Sequence, residues 1–154
     1  MNGALNYKRV YQDVLQQLKA LCVEHYKERL ISLVVFGSVA KKTFSPASDI
    51  DLLLVFADKR GNYEEFSDYY DNVESRLVFP EGFRIEINPI FKSRDGLSVK
   101  TPYLWNTDFL VLYDKSGFFK EFMAKLEEYK ENFLVVRGKN LKYIVVKDDE
   151  QRVG

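Results

Sequence analysis

Apolar residues recur along this chain in two rhythms, and the changes between them mark its elements. From about Leu5 to Arg29 the positions Tyr11, Val14, Leu15, Leu18, Leu21 and Cys22 fall three and four apart, which predicts an amphipathic helix. Leu30 to Phe36 is a nearly unbroken apolar run, read as a buried strand. Asp49 to Phe56 is a second strand that opens on polar residues and ends apolar. After the loop at 59–62, Phe66, Tyr69, Tyr70, Val73 and Leu77 form a helical stripe over Tyr63 to Leu77. Glu64, Glu65, Asp68, Asp71 and Glu74 then fall mostly on its solvent side.

The second half repeats the alternation. Phe83 to Phe91 reads as a third strand and Phe109 to Tyr113 as a short fourth. Asp114 to Gly117 breaks that strand and caps a helix over Phe118 to Lys130, whose apolar positions are Phe119, Phe122, Met123 and Leu126. Residues 133–136 and 143–146 flank Arg137-Gly138-Lys139-Asn140, which fits either a hairpin or a helix ending at the glycine. Asp148 to Gly154 reads as a frayed tail. The pattern predicts an α/β (α+β) fold with a small mixed sheet and helices packed on one face. It predicts one domain over 1–154, a core at about 30–91 and a C-terminal extension at about 131–154.

Composition narrows the function. The 154 residues carry 23 basic and 23 acidic side chains, so no general affinity for nucleic acid is expected. One cysteine, Cys22, excludes an internal disulfide and fits a reducing cytoplasm. The N-terminal segment is charged and amphipathic, unlike a signal peptide. The longest apolar run, Leu52 to Ala57, is far below the roughly 20 residues that span a bilayer, so no membrane association is expected.

The candidate chemistry lies at the start of the second strand. Asp49 and Asp51 share one face and Ile50 takes the other. Two carboxylates about 4 Å apart repel by roughly 4 kcal/mol at an effective dielectric near 20, so a proton or cation must compensate. No His or Cys cluster competes for a softer metal. The pair predicts Mg²⁺ or Mn²⁺ shared with phosphate oxygens. Upstream, Gly37 lets a phosphate approach the backbone, Ser38 adds a hydroxyl, and Lys41 and Lys42 add charge. This is not a Walker A pattern. On the third strand Glu86 and Asn88 share a face, opposite Ile85 and Ile87. If that strand lies beside the second, three carboxylates converge, holding two metals or holding one while the third deprotonates a hydroxyl.

Phe36-Gly37-Ser38, a spacer of ten residues (Val39–Ser48), Ser48-Asp49-Ile50-Asp51-Leu52 and Ile85-Glu86-Ile87 together resemble the nucleotidyltransferases of the DNA polymerase β superfamily. The short length is similar to the minimal nucleotidyltransferases paired with an all-helical HEPN partner. The resemblance implies that Gly37 and Ser38 grip the triphosphate of ATP. Asp49 and Asp51 bind Mg²⁺, and Glu86 activates the acceptor hydroxyl or completes a metal site. It also implies AMP transfer onto a partner tyrosine as an antitoxin activity. Many members carry Arg and Gly where this chain has Lys41 and Lys42. Positive charge survives, without the bidentate fork of arginine.

Two other readings compete. One is a small-molecule nucleotidyltransferase of the aminoglycoside-modifying kind, which usually adds a helical domain for its acceptor. The other is a catalytically idle module that neutralises a helical partner. His25, the only histidine, falls on the apolar side of the first helix and reads as structural. Tyr103 and Trp105 suit base stacking or partner contact but read better as packing, and Arg84, Lys92 and Arg94 read as surface charge.

Overall fold

The computed structural model describes residues 6–101, 104–105, 107–131, 133–138 and 141–146. Tyr103 and the tail from Asp148 lie outside them. Helix α1 (Tyr7–Tyr26) is capped by the Asn6 side chain, which accepts from the Lys8 N–H. A four-stranded sheet follows, in the order β3-β2-β1-β4. Strands β1 (Leu30–Phe36) and β2 (Ile50–Phe56) are antiparallel, with Phe36 opposite Asp51. Strand β4 (Phe109–Asp114) lies antiparallel on the far side of β1, with Phe36 opposite Phe109. Strand β3 (Ile87–Ser93) is parallel to β2, with Asp51 opposite Asn88. These registers bring the end of β1, the starts of β2 and β3, and the start of β4 to one edge of the sheet.

The chain reaches that edge through α2 (Ser38–Lys41), a single turn between β1 and β2. Helix α3 (Asn62–Asn72) joins β2 to β3, and α4 (Phe118–Glu131) follows β4. Asp114 links three of these elements. It accepts from the Ser32 hydroxyl and from the N–H groups of Phe119 and Lys120 at 2.7, 2.7 and 3.0 Å. The segment over 133–146 forms two antiparallel strands, β5 (Phe133–Gly138) and β6 (Leu141–Val146), which decides for the hairpin alternative.

The mixed α/β class stands, but helices cover both faces of the sheet. Alternate residues of β1 and β2 are apolar on each side, so both sides need cover. On one face α1 and Tyr69 of α3 pack against Leu33, Val35, Leu52 and Leu54. On the other, Phe119, Phe122 and Leu126 of α4 pack against Val34, Phe36, Leu53 and Val55. Cys22 is buried in the first cluster, where burial pushes its thiol up to about 12 and keeps it protonated.

Helix α3 buries Tyr69, and Val73 after it, as its stripe predicts, but the rest of its rotation differs. Glu65 is fully buried, whereas Phe66 and Tyr70 from the expected apolar stripe are each 46% exposed and Tyr63 is 82% exposed. The cause is a set of polar partners from outside the helix. Glu65 accepts from Arg29, from the Arg60 backbone N–H at 2.8 Å and from the Arg60 guanidinium at 3.0 Å. Asp68 accepts from His25 at 2.8 Å and pairs with Arg60 at 3.3 Å. His25 is therefore structural, as its position on α1 suggested.

Candidate active site

Gly37 closes β1 with φ 84° and ψ −151°, a backbone conformation that essentially only glycine adopts. A Cβ there would stand 2.6 Å from Asp51 Oδ2, so the missing side chain makes room for the carboxylate. The Gly37 N–H donates to Thr107 Oγ1 at 2.8 Å, which ties the turn to the segment entering β4. Gly37→Ala is expected to cost about 2–3 kcal/mol by combining backbone strain with displacement of Asp51. A thermal melt of that variant alongside Ser38→Ala, which lacks both penalties, checks it.

Asp49 and Asp51 flank buried Ile50, and one side chain gathers them. The Asn88 amide donates to Asp51 Oδ1 at 3.2 Å and, more weakly, to Asp49 Oδ2 at 3.4 Å. A neutral donor shared by two carboxylates orients both. The parallel pairing of β2 with β3 delivers that amide. Sequence reasoning placed Asn88 on the correct face without giving it a role. The only signal was its alternation with Glu86.

Glu86 sits one residue ahead of β3, exposed, while its carbonyl accepts from the Ile50 N–H at 2.9 Å. It borders a 400 Å³ cavity shared with Ser48, Asp49, Glu74 and Arg84. Among the described residues no three acidic, histidine or cysteine side chains stand close enough to hold one ion together. Asp49 and Asp51 thus form a pair, and Glu86 adjoins it from the cavity. Burial raises the Glu74 pKa, with the Glu86 charge adding to it and Arg84 opposing.

Helix α1 positions the approach to Asp49. The Tyr11 hydroxyl donates to the Ser48 carbonyl, with the Pro46 carbonyl at 3.3 Å, and Tyr7 donates to Phe44 at 3.2 Å. Burial, then the charge of Asp49, then Tyr7 raise the Tyr11 pKa, so its phenol stays a donor. Nothing in the helical stripe distinguished Tyr11 from its apolar neighbours. Tyr11→Phe is expected to cost about 1 kcal/mol of stability and roughly tenfold in turnover, because the segment before Asp49 loses its anchor. Parallel melting and steady-state measurements check the split.

The remaining candidates scatter. Ser38, Lys41 and Lys42 are exposed on and after α2. Lys42 has φ 65° and ψ 22°, the left-handed conformation that explains why glycine suits this position. It borders a separate, mostly apolar 340 Å³ cavity with Lys8 and Phe44. Trp105 is packed. Its indole donates to the Val99 carbonyl at 2.7 Å and its ring meets Tyr129 edge-on. Arg84 lies over the Phe79 ring and lines the acidic cavity, which is more than a surface role. Lys92 is half-buried and Arg94 exposed.

A family model described as a nucleotidyltransferase domain matches residues 15–101, which span α1 to β3 and include Gly37, Asp49, Asp51 and Glu86. The chain belongs to the nucleotidyltransferase domain family. A Methanocaldococcus jannaschii protein named as a candidate protein adenylyltransferase is 23% identical over 124 residues, covering 78% of this chain and 83% of the relative. Two solved structures are similar to it more loosely. A candidate nucleotidyltransferase from Sulfolobus solfataricus has a TM-score of 0.43 at 20% identity, covering 74% of this chain and 93% of its own. A chain from the Shewanella oneidensis complex of tri-AMPylated HEPN toxin with MNT antitoxin has a TM-score of 0.46 at 12% identity, covering 81% and 87%. Membership rests on the family match. No helix among the described residues of this nucleotidyltransferase is long and apolar enough to cross a membrane.

Proposed function

We propose that this nucleotidyltransferase moves AMP from ATP to a tyrosine hydroxyl of an all-helical, HEPN-type partner protein and so acts as its antitoxin. The observation that carries the chemistry is the Asp49–Asp51 pair, held by one Asn88 amide against a glycine without a Cβ. The name of the Methanocaldococcus relative supports a protein acceptor.

The donor set suits a hard divalent cation, because it consists of carboxylate oxygens with a neutral amide behind them. Asp49 and Asp51 would hold Mg²⁺, which neutralises charge developing on the phosphates and the leaving pyrophosphate. Gly37 keeps the turn open to the triphosphate, and Ser38 with Lys41 and Lys42 supply donors on its exposed side. Glu86 faces the acceptor from the adjoining cavity, within the chain's own acidic wall, and takes the proton of the attacking hydroxyl. The hydroxyl oxygen forms a bond to the α-phosphorus as the bond to pyrophosphate breaks.

The test is mass spectrometry after incubation with Mg²⁺ and each of the four nucleoside triphosphates, with and without the product of the neighbouring gene. One AMP gained by that protein with ATP, and not with Asp49 and Asp51 substituted, is the expected result. A tight complex with no gain under any nucleotide would make the chain an idle neutralising module instead.

A further inference from the structure

We propose that the outward face of α3, made by Tyr63, Phe66 and Tyr70, is the surface on which the acceptor protein docks. We further propose that it receives a helix whose apolar side chains are bordered by lysine or arginine. This assignment rests on the reading that the acceptor is a protein.

The three rings lie at positions i, i+3 and i+7, one face of two helical turns spanning about 10 Å. They are 82%, 46% and 46% exposed, and Phe66 stacks on Tyr70 with ring centroids 6.5 Å apart. A different rotation of α3 would bury aromatic surface and release Glu65 to water. The fold does the opposite and holds the rotation with Arg29 and Arg60 on a fully buried carboxylate. Aromatic rings kept outward against that alternative are suited to burial by another molecule.

Charge identifies the occupant. Helix α3 contains Glu64, Glu65, Asp68 and Asp71 and no lysine or arginine. Glu65 and Asp68 are matched by Arg29, Arg60 and His25. Glu64 and Asp71 stay exposed beside the rings and complement a basic border. Position completes the case. The chain leaving α3 reaches Glu74, one turn beyond Tyr70, and Glu74 lines the cavity that holds Asp49 and Glu86. A helix seated on Tyr63, Phe66 and Tyr70 therefore lies beside the entrance through which its hydroxyl reaches the carboxylates.

The experiment uses the whole chain with the product of the neighbouring gene, Mg²⁺ and ATP. The variants are Tyr63→Ser/Phe66→Ser/Tyr70→Ser and, separately, Glu64→Lys/Asp71→Lys. Both are expected to weaken partner binding at least tenfold and raise KM for the partner as much. ATP affinity and kcat should stay within twofold of wild type, and both variants should melt cooperatively, with a midpoint lowered only by the lost Glu64 hydrogen bond to Gly61 or the lost ring contacts. The charge reversal should also flatten the salt dependence of association. Binding and labelling within twofold of wild type in the triple variant would overturn the docking assignment while leaving the functional reading intact. A wild-type chain that neither binds nor labels the partner would overturn both. Sedimentation of the chain alone provides a further check. A dimer that the triple substitution dissolves would assign the face to self-association and overturn the proposal.

Discussion

Asp51→Asn is expected to lower nucleotidyl transfer by about a thousandfold, equivalent to roughly 4 kcal/mol of transition-state stabilisation, and to leave the fold as stable as before. The two effects separate because, in the proposed mechanism, the carboxylate contributes charge to the reaction and only a hydrogen bond to the structure. An asparagine oxygen at position 51 still accepts from the Asn88 amide, which lies 3.2 Å from Asp51 Oδ1. Removing one of two adjacent negative charges also relieves their repulsion, which offsets any loss in packing. Divalent-cation affinity should fall with the rate, since one hard ligand is gone. Three measurements on the same sample decide it: initial rate of AMP transfer, a Mg²⁺ or Mn²⁺ titration, and a thermal melt. A variant that melts normally and transfers at the wild-type rate would sink the metal-pair mechanism.

Glu65→Ala should act in the reverse sense, with a large loss of stability. The carboxylate is fully buried and Arg29 and Arg60 are partly exposed, at 31% and 46%, so water rescues the cations better than it would deep in a core. A loss of about 2–3 kcal/mol follows, below the 3–5 typical of a wholly buried pair. That corresponds to a melting temperature lower by roughly 6–10 °C for a chain of this size. Acidity gives an independent check. Burial works to raise the Glu65 pKa, but the hydrogen bonds from Arg60 and Arg29 outweigh it and the net shift is downward. A carboxyl depressed in the folded state stabilises above its unfolded pKa and loses that contribution as pH falls through the folded value. Stability of the wild type should therefore drop on the acid side more steeply than that of Glu65→Gln. Parallel acid limbs for the two proteins would contradict the assignment.

The strands, the Gly37-Ser38 turn and the shared face of Asp49 and Asp51 were legible because each depends on near neighbours in sequence. A run such as Leu30–Phe36 has few alternatives to a buried strand, and alternation fixes the direction of both aspartates. Features that depend on distant residues were not legible. Tyr69 and Val73 of the predicted stripe are buried, but the placing of Glu65 inward and of Phe66 and Tyr70 outward followed Arg29, 36 residues before Glu65. The service of Asn88 to two aspartates required the parallel pairing of β2 with β3. Cover on both faces became visible only once α4 was seen against the side of the sheet opposite α1. Residues 83–86 precede β3 without joining its ladder beyond the Glu86 carbonyl, and the Phe83 N–H turns back to the Pro80 carbonyl, which is why the predicted strand began too early.

The placement of β4 beside β1 has a consequence for the order of events during synthesis. Strands β1 and β2 can meet as soon as both have left the ribosome, and they bring Asp49 and Asp51 with them. The hydroxyl that holds the Gly37 turn arrives 70 residues after it, from Thr107. Until then strand β1, apolar at every position but Ser32, presents an unpaired edge to every other nascent chain. Closure of that edge and the tie on the Gly37 turn come from one stretch of chain, 107–114. One late segment thus ends the exposure of β1 and fixes the turn that follows it.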